Sequence, residues 1–403
     1  MTKTTQYKNT PIGPIPMDWE VKKLGELGET LNGLTYSPKD IVEENKGILV
    51  LRSSNIQNDN LVFDDNVFVK STNLKYNPVE LNDILICVRN GSKSLIGKNT
   101  LITEEAKGMA FGAFMSIYRS ELNSYLYHCF KSDIYQNHIN KNLGATINSI
   151  NGSDLKQFSF PLPPLPEQQK ITEVLSTWDK AIKETDAIIK KLEKRNKALA
   201  FSLLRGKMVS KNFKEITLSK FLTFTQREID KPTENYLALG IRSHGKGLFH
   251  KPDSDPKAIA MEKLYEVKEN DFIVNITFAW EHAVAIVSKE DVGGLVSHRF
   301  PTYEIDTNQV KVEYFRHLIL QPFFRKMLEN ISPGGAGRNR VLSKKDLLKL
   351  KVSIPTLEEQ DKVAEILNTA NQEVKRYQQK LEALKLQKKG LMQQLLTGKV
   401  RTV

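Results

Sequence analysis

The sequence predicts a mixed α/β fold in which two similar, pseudo-symmetric globular domains alternate with two long helices that pair as an antiparallel coiled coil. Three observations carry this reading: an internal repeat, an apolar stripe along the end of each repeat, and short β-type runs alternating with helical ones elsewhere. A chain of 403 residues is also too long for one core of ordinary size.

The repeat is the strongest of the three. PLPEQQKITEVL at 164–175 is nearly restated as TLEEQDKVAEIL at 356–367. A shift of 192 residues places Pro163 on Pro355, Leu165 on Leu357, Glu167 on Glu359, Gln168 on Gln360, Lys170 on Lys362, Glu173 on Glu365 and Leu175 on Leu367. The same shift, with no gap, matches Asp154-Leu155 to Asp346-Leu347 and LLRGK at 203–207 to LLTGK at 395–399. One offset maintained over some fifty residues marks a duplicated unit.

The elements follow in chain order. Residues 1–160 form the first globular domain, opening near WEVKKLGEL at 19–27, with strand-type runs ILVLRSS and NVFVKS and the helical run NSYLYHCFKSDIYQNHI. Residues 161–210 form the first helical spacer. Its apolar stripe is Leu175, Trp178, Ile182, Thr185, Ile189, Leu192, Asn196, Leu199 and Leu203, prolines precede it and Gly206 ends it. Residues 211–352 repeat the globular pattern, with YLALGIRS and HAVAIVS as strands and VEYFRHLILQPFFRKMLE as helix. Asn270-Asp271-Phe272-Ile273-Val274 echoes Asn82-Asp83-Ile84-Leu85-Ile86, a polar turn feeding a buried strand. Residues 353–403 form the second spacer, its stripe at Leu367, Ala370, Val374, Tyr377, Leu381, Leu384, Lys388, Leu391 and Leu395.

The 3-4 spacing of both stripes is that of a coiled-coil seam. At 1.5 Å per residue, roughly forty residues make a helix of about 60 Å. The first helix leaves one domain and reaches the other, while the second leaves the other domain from the equivalent place, so paired stripes require an antiparallel arrangement. The expectation is two domains at opposite ends of a rod, related by a pseudo-twofold axis. Asn196 and Lys388 interrupt the stripes and either set register or lie at frayed, exposed turns.

Charge speaks to partners. The net +12 points first to nucleic acid. Residues 167–207 carry ten basic against six acidic side chains and residues 358–401 nine against six, so more than half of the excess lies on the helices. No apolar run reaches bilayer length and no secretory pattern opens the chain, so the expected location is cytoplasmic and no membrane is involved. Cys87 and Cys129 are too few for a disulfide framework or a thiolate zinc site. Histidine spacing also gives no metal motif, and the expectation is no metal.

With the repeat, PLPPLPEQQKI and IPTLEEQDKV at the helix starts, and LLRGK and LLTGKV at the ends, the sequence resembles the DNA-specificity subunit of type I restriction-modification systems. The resemblance covers essentially the whole chain. It implies two target-recognition domains, each reading one half of a split, asymmetric double-stranded DNA sequence, with the helical pair setting the unread gap. It further implies a non-catalytic subunit that binds two modification (methyltransferase) subunits, joined by restriction (motor-nuclease) subunits in the full complex. No cofactor is then bound by this chain. S-adenosylmethionine belongs to the modification subunits, which methylate adenine at N6.

Enzyme motifs do not compete with this reading. Asn77-Pro78-Val79-Glu80 lacks the second proline and the aromatic of an adenine methyltransferase, and Phe111-Gly112-Ala113-Phe114 lacks the second glycine of a cofactor loop. GSKSLIGKN at 91–99 has five residues between its glycines, and Asn99 stands where a phosphate loop needs Ser or Thr. No catalytic residue is assigned.

Base readout needs Arg, Lys, Asn, Gln, His and small hydroxyl side chains on loops or helix ends. The candidates in the first domain are Arg52, Ser54 and Asn55 beside Ser53; Arg89, Asn90, Lys93 and Lys98; and Thr146 and Asn148 in the loop at 144–148. Those in the second are Arg242 and His244 beside Ser243; His282 beside Trp280; Arg299 beside His298; and Arg338, Asn339 and Arg340 in GGAGRNR. Helix-helix packing is assigned to Leu175, Trp178, Ile182, Ile189, Leu192 and Leu199 on one helix and Leu367, Val374, Tyr377, Leu381, Leu384 and Leu391 on the other. Two other readings fit a two-headed basic protein: a stand-alone bipartite DNA-binding regulator, and a coiled-coil scaffold for RNA or an acidic protein.

Overall fold

The structure, a computed structural model, describes residues 6–70, 75–143, 149–205, 213–334 and 340–402. The chain forms two compact units, Met1–Thr185 with Lys380–Val403, and Asp186–Gln379.

The first unit is built on an antiparallel four-stranded sheet in the order Asn99–Leu101, Ile84–Cys87, Met115–Arg119, Glu29–Asn32. Ile84–Cys87 is buried at every position, which is why it reads as an unbroken apolar run rather than an alternating one. A second sheet runs Ala110–Phe111, Gly47–Leu51, Phe68–Lys70, Ile41–Val42, and its first pairing is parallel. The predicted helical run after the first sheet is two helices, Asn123–Cys129 and Asp133–Asn142. The hydroxyl of Ser132 accepts from the Tyr135 N–H and starts the second of them. Glu20–Lys23 pairs with Ser159–Leu162 just before the first long helix, Leu165–Leu204.

The core of this unit joins Trp19, Tyr118, Phe130, Phe158 and Phe160 to Ile171 and Leu175 of the first long helix. Met392, Leu395 and Leu396, from the end of the second long helix, complete it. A hairpin of Tyr7–Thr10 and Gly13–Pro16 covers that end, with Ile15 in the core and the Tyr7 hydroxyl donating to the Gly398 carbonyl at 2.9 Å.

The second unit repeats the plan. Its four-stranded sheet runs Val284–Ile286, Phe272–Val274, Thr302–Ile305, Leu222–Thr225, the same order with the same antiparallel pairing. A five-stranded sheet contains Tyr236–Ile241 as the counterpart of Gly47–Leu51. Two helices again follow, Val312–Leu318 and Pro322–Asn330, the break falling before a proline at the first helical position. Lys214–Thr217 pairs with Lys351–Ile354 before the second long helix, Leu357–Leu396. Its core joins Phe221, Phe272, Tyr303, Phe315 and Phe324 to Val363, Ala364 and Leu367 from the start of the second long helix, and to Leu203 and Leu204 from the end of the first. Val363, Leu367, Leu203 and Leu204 are the repeat equivalents of Ile171, Leu175, Leu395 and Leu396. In each unit the start of one helix therefore meets the end of the other, and the pairing is antiparallel.

All twelve residues assigned to helix packing are buried or half-buried. A fully buried leucine such as Leu175 contributes about 1.5–3 kcal/mol through burial alone. The two polar interruptions prove to be one site of the repeat. In the first unit Lys388 Nζ binds Asp179 Oδ1. In the second unit Asn196 Nδ2 donates to the Ala370 carbonyl at 2.8 Å and faces Asn371 Oδ1 at 3.4 Å. The shift of 192 exchanges Lys388 with Asn196 and Asp179 with Asn371, so an ion pair in one unit replaces an amide network in the other. Neither interruption lies at a frayed or exposed turn, and each specifies which residues of the two helices face each other.

The helix starts share one device. Gln168 Nε2 donates to the Pro163 carbonyl at 2.7 Å, and Gln360 Nε2 to the Pro355 carbonyl at 3.0 Å. This explains the glutamine common to both repeats. No helix among the described residues is long and apolar enough to cross a membrane.

Candidate nucleic-acid interface

Both units hold their central strand by the same turn. Asn82 and Asn270 adopt left-handed φ values of 66° and 71°, which asparagine tolerates better than most residues. The aspartate after each receives a backbone N–H, from Glu80 at 2.8 Å to Asp83 and from Lys268 at 2.9 Å to Asp271. Each aspartate is also clamped by arginine, Asp83 by Arg119 and Asp271 by Arg227. The far end of that strand opens into the polar loops singled out in the sequence.

In the first unit, strand Gly47–Leu51 leads into a 3₁₀ turn, Ser53–Asn55. Asn90 Nδ2, on the loop leaving the central strand, donates to Ser53 Oγ at 3.2 Å and so joins the two segments. Asn90 also accepts the Ser92 N–H at 3.0 Å. Arg52 is half-buried and bound to Asp65, both to its carbonyl at 3.0 Å and to its carboxylate at 2.9 Å. Ser54 is half-buried, Arg89 and Lys93 are exposed, and Lys98 is half-buried on the same loop. Arg89 lies 5.9 Å from the ring centre of Phe114. Asn55 departs from the sequence-based expectation. It is 1% exposed, accepts the Arg52 N–H, and donates to the Val62 carbonyl and to Asn66, so its amide shapes the turn and does not face solvent. The loop at 91–99 is no phosphate cradle, because Gly97 packs on Ile139 and Asn99 is buried in a strand.

In the second unit the corresponding loop follows Tyr236–Ile241. Ser243 Oγ donates to Glu281 at 2.6 Å, and the N–H groups of His244 and Gly245 donate to the carbonyls of Glu281 and His282. Arg242 is exposed, donates to the Leu248 carbonyl at 2.9 Å and lies 5.2 Å from the Phe249 ring centre. That ring lies over Gly240, where a Cβ would come within 2.3 Å of its far end, so a larger residue there would displace the Phe249 ring. Arg299 Nη1 donates to Thr277 Oγ1 at 3.0 Å, and Arg340 lies 5.3 Å from the Trp280 ring centre. Residues 275–282 thus gather Ser243, His244, Arg299 and Arg340, with Arg242 the preceding residue of the chain. Beside them is a concave space of about 410 Å³ lined by Ser243, Asn275, Phe278, Glu281, Ser297 and Phe300, among others.

His282 is the second departure. It is 5% exposed and its Nε2 meets the Ile319 carbonyl at 2.6 Å. Burial holds its pKa below the ordinary value. It anchors the loop to a helix. Thr146, Asn148, Arg338 and Asn339 lie outside the described residues. Sequence reasoning overlooked Phe114, Thr277 and Glu281 as members of these clusters. The strand echo and the recurring Arg-Ser pair at 52–53 and 242–243 were the available signals. Among the described residues no group of three or more His, Cys, Asp and Glu side chains is arranged to hold a metal ion.

Two units of one topology, closed by opposite ends of the same helix pair and presenting differently composed polar loops at equivalent strand ends, define a duplicated recognition protein. The chain belongs to the type I restriction modification DNA specificity domain family, whose model matches residues 16–194 and 211–386. It is 25% identical over 428 residues to the MjaX type I restriction enzyme specificity subunit of Methanocaldococcus jannaschii, itself a provisional assignment, covering 99% of this chain and 97% of that one. It is 24% identical over 396 residues to the StySPI specificity subunit of Salmonella potsdam, covering 89% and 83%. The fold is that of the type I restriction-modification S subunit of M. genitalium, with a TM-score of 0.56, 18% identity, and coverage of 94% of this chain and 96% of that chain.

Proposed function

We propose that this chain is the sequence-reading subunit of a type I restriction-modification complex. Each unit reads one half of a split, asymmetric duplex, and the chain positions modification and restriction subunits on it. The observation that carries this is the pair of equivalent loop clusters, one topology supporting two different sets of polar and basic side chains. Identical sets would suit a symmetric target, whereas different sets suit an asymmetric one. Arg52, Ser54, Arg89, Asn90, Lys93 and Lys98 serve the first half-sequence; Arg242, His244, Arg299 and Arg340 serve the second. Thr146, Asn148, Arg338 and Asn339 are assigned to the same surfaces from sequence.

On this reading the chain acts in the cytoplasm and performs no catalysis itself. Two modification subunits bind it and carry S-adenosylmethionine. The test is single-molecule sequencing of N6-methyladenine in cells expressing the chain with and without a matching modification subunit. A split motif that is methylated only when both are present is the expected result. Unchanged methylation despite a verified complex would remove this function.

A further inference from the structure

One pair of facing positions carries different chemistry in the two units. In the first unit the N–H groups of Val88 and Arg89 donate to the Phe114 carbonyl at 3.0 and 3.1 Å. In the second the Ile276 N–H donates to the Arg299 carbonyl at 3.0 Å. Strand register makes these positions equivalent. Ile84 pairs with Tyr118, and Phe272 pairs with Tyr303, so counting outward by four residues reaches Val88 opposite Phe114 and Ile276 opposite Arg299. The next residue is Arg89 in one unit and Thr277 in the other. Side chains meet at this position in both, Arg89 on the Phe114 ring and Arg299 on the Thr277 hydroxyl. An arginine is thus retained, but on opposite sides of the pair.

Phe114 is 58% exposed, the most exposed phenylalanine among the described residues. Single exposed apolar residues are common and need no explanation by themselves. This one sits at the end of the central strand, beneath a guanidinium, where the sister unit places an arginine. Its ring has no hydrogen-bonding group. The apolar feature of a base edge is the 5-methyl group of thymine in the major groove.

We propose that Phe114 and Arg89 form a specificity position of the first unit. The Phe114 ring contacts a thymine methyl, while the Arg89 guanidinium addresses the neighbouring base edge. The inference rests on the sequence-reading function proposed above.

The test uses the chain assembled with its modification subunits, comparing wild type, Phe114→Ala and Phe114→Leu by N6-methyladenine sequencing. In Phe114→Ala one A·T position of the first half-sequence should become degenerate, with the second half-sequence unchanged. Phe114→Leu, which keeps an apolar surface, should retain the preference. In binding assays, replacing that thymine with deoxyuridine should weaken the wild-type complex about fourfold, the size expected for one buried methyl group. It should weaken the Phe114→Ala complex no further. An unchanged motif, a change in the second half-sequence, or a uniform loss at every position would overturn the proposal. Unstacking of a neighbouring 2-aminopurine, dependent on Phe114, would overturn it in favour of a wedge. A wild-type complex that yields no split motif would instead defeat the reading function itself.

Discussion

Glu167 is a carboxylate with no exposure to solvent, whereas its repeat equivalent Glu359 is half-buried and accepts from the Thr356 N–H at the start of its own helix. Trp19 Nε1 donates to Glu167 at 2.9 Å, and Arg401 donates through Nε and Nη2, each at 2.8 Å. The same guanidinium holds Asp18 in a fork, and this hydrogen bonding lowers the Asp18 pKa. Hydrophobic replacement of a whole buried pair is often neutral, whereas removal of one partner strands the other charge. Arg401→Met should therefore destabilise the chain by about 3–5 kcal/mol. Glu167→Gln in the same chain should recover part of the loss, because a neutral amide oxygen still accepts from Trp19. Urea unfolding of the single and double variants checks this. An Arg401→Met chain as stable as the wild type would show that the ion pair contributes nothing.

At the level of elements, each globular core is docked on a long helix through a histidine. His317 Nε2 meets Asn368 Oδ1 at 2.8 Å, and His128 Nε2 lies 3.5 Å from Ser176 Oγ, positions related by the same shift of 192 along the helices. Burial is the main cause that lowers both pKa values, that of His128 to about 3, with Lys388 and Lys131 adding to it. Asp179 also faces His128, while Glu313 and Arg316 face His317. The folded pKa lies below the unfolded value of about 6.5, so the unfolded chain binds more protons in the interval between them. The stabilising contribution is complete above about pH 6.5 and is lost as pH falls toward the folded value. Unfolding free energies between pH 7.5 and 5 should decrease on acidification. His128→Gln should flatten the profile by up to about 1.4 kcal/mol per pH unit. An unaltered slope would contradict the assignment. The elements themselves were largely legible in the sequence, because an amphipathic helix and a buried strand write their burial into residue spacing. The loops were not. Asn55 and His282 are polar residues of the expected types in the expected segments, but local spacing carries no trace of the distant carbonyls of Val62 and Ile319 that occupy them. Phe114 was passed over for the opposite reason, since a phenylalanine beside a strand normally signals core.

For the molecule as a whole, the helix pair raises the question of what its length is for. The polar contacts Asp179 with Lys388 and Asn196 with Ala370 mark two points along it, and each helix is continuous between them. Deleting residues 186–192 and 375–381 removes one heptad from each helix between those points. The join brings Thr185 and Asn196 into a four-residue spacing, and Val374 and Leu384 into a three-residue spacing, so both stripes continue and both polar contacts remain. If helix length sets the unread gap, seven residues at 1.5 Å correspond to about 10 Å, or about three base-pair steps. The methylated motif should then keep both half-sequences and shorten its gap by about three base pairs. That change also turns the duplex by roughly a third of a turn, since one turn takes about ten base pairs, so methylation should be less efficient than in the wild type. The same deletion in one helix alone would misalign the stripes and remove activity without defining a new gap. Altered half-sequences at an unchanged gap would show that the helices help to read bases, and would rule out length as the determinant.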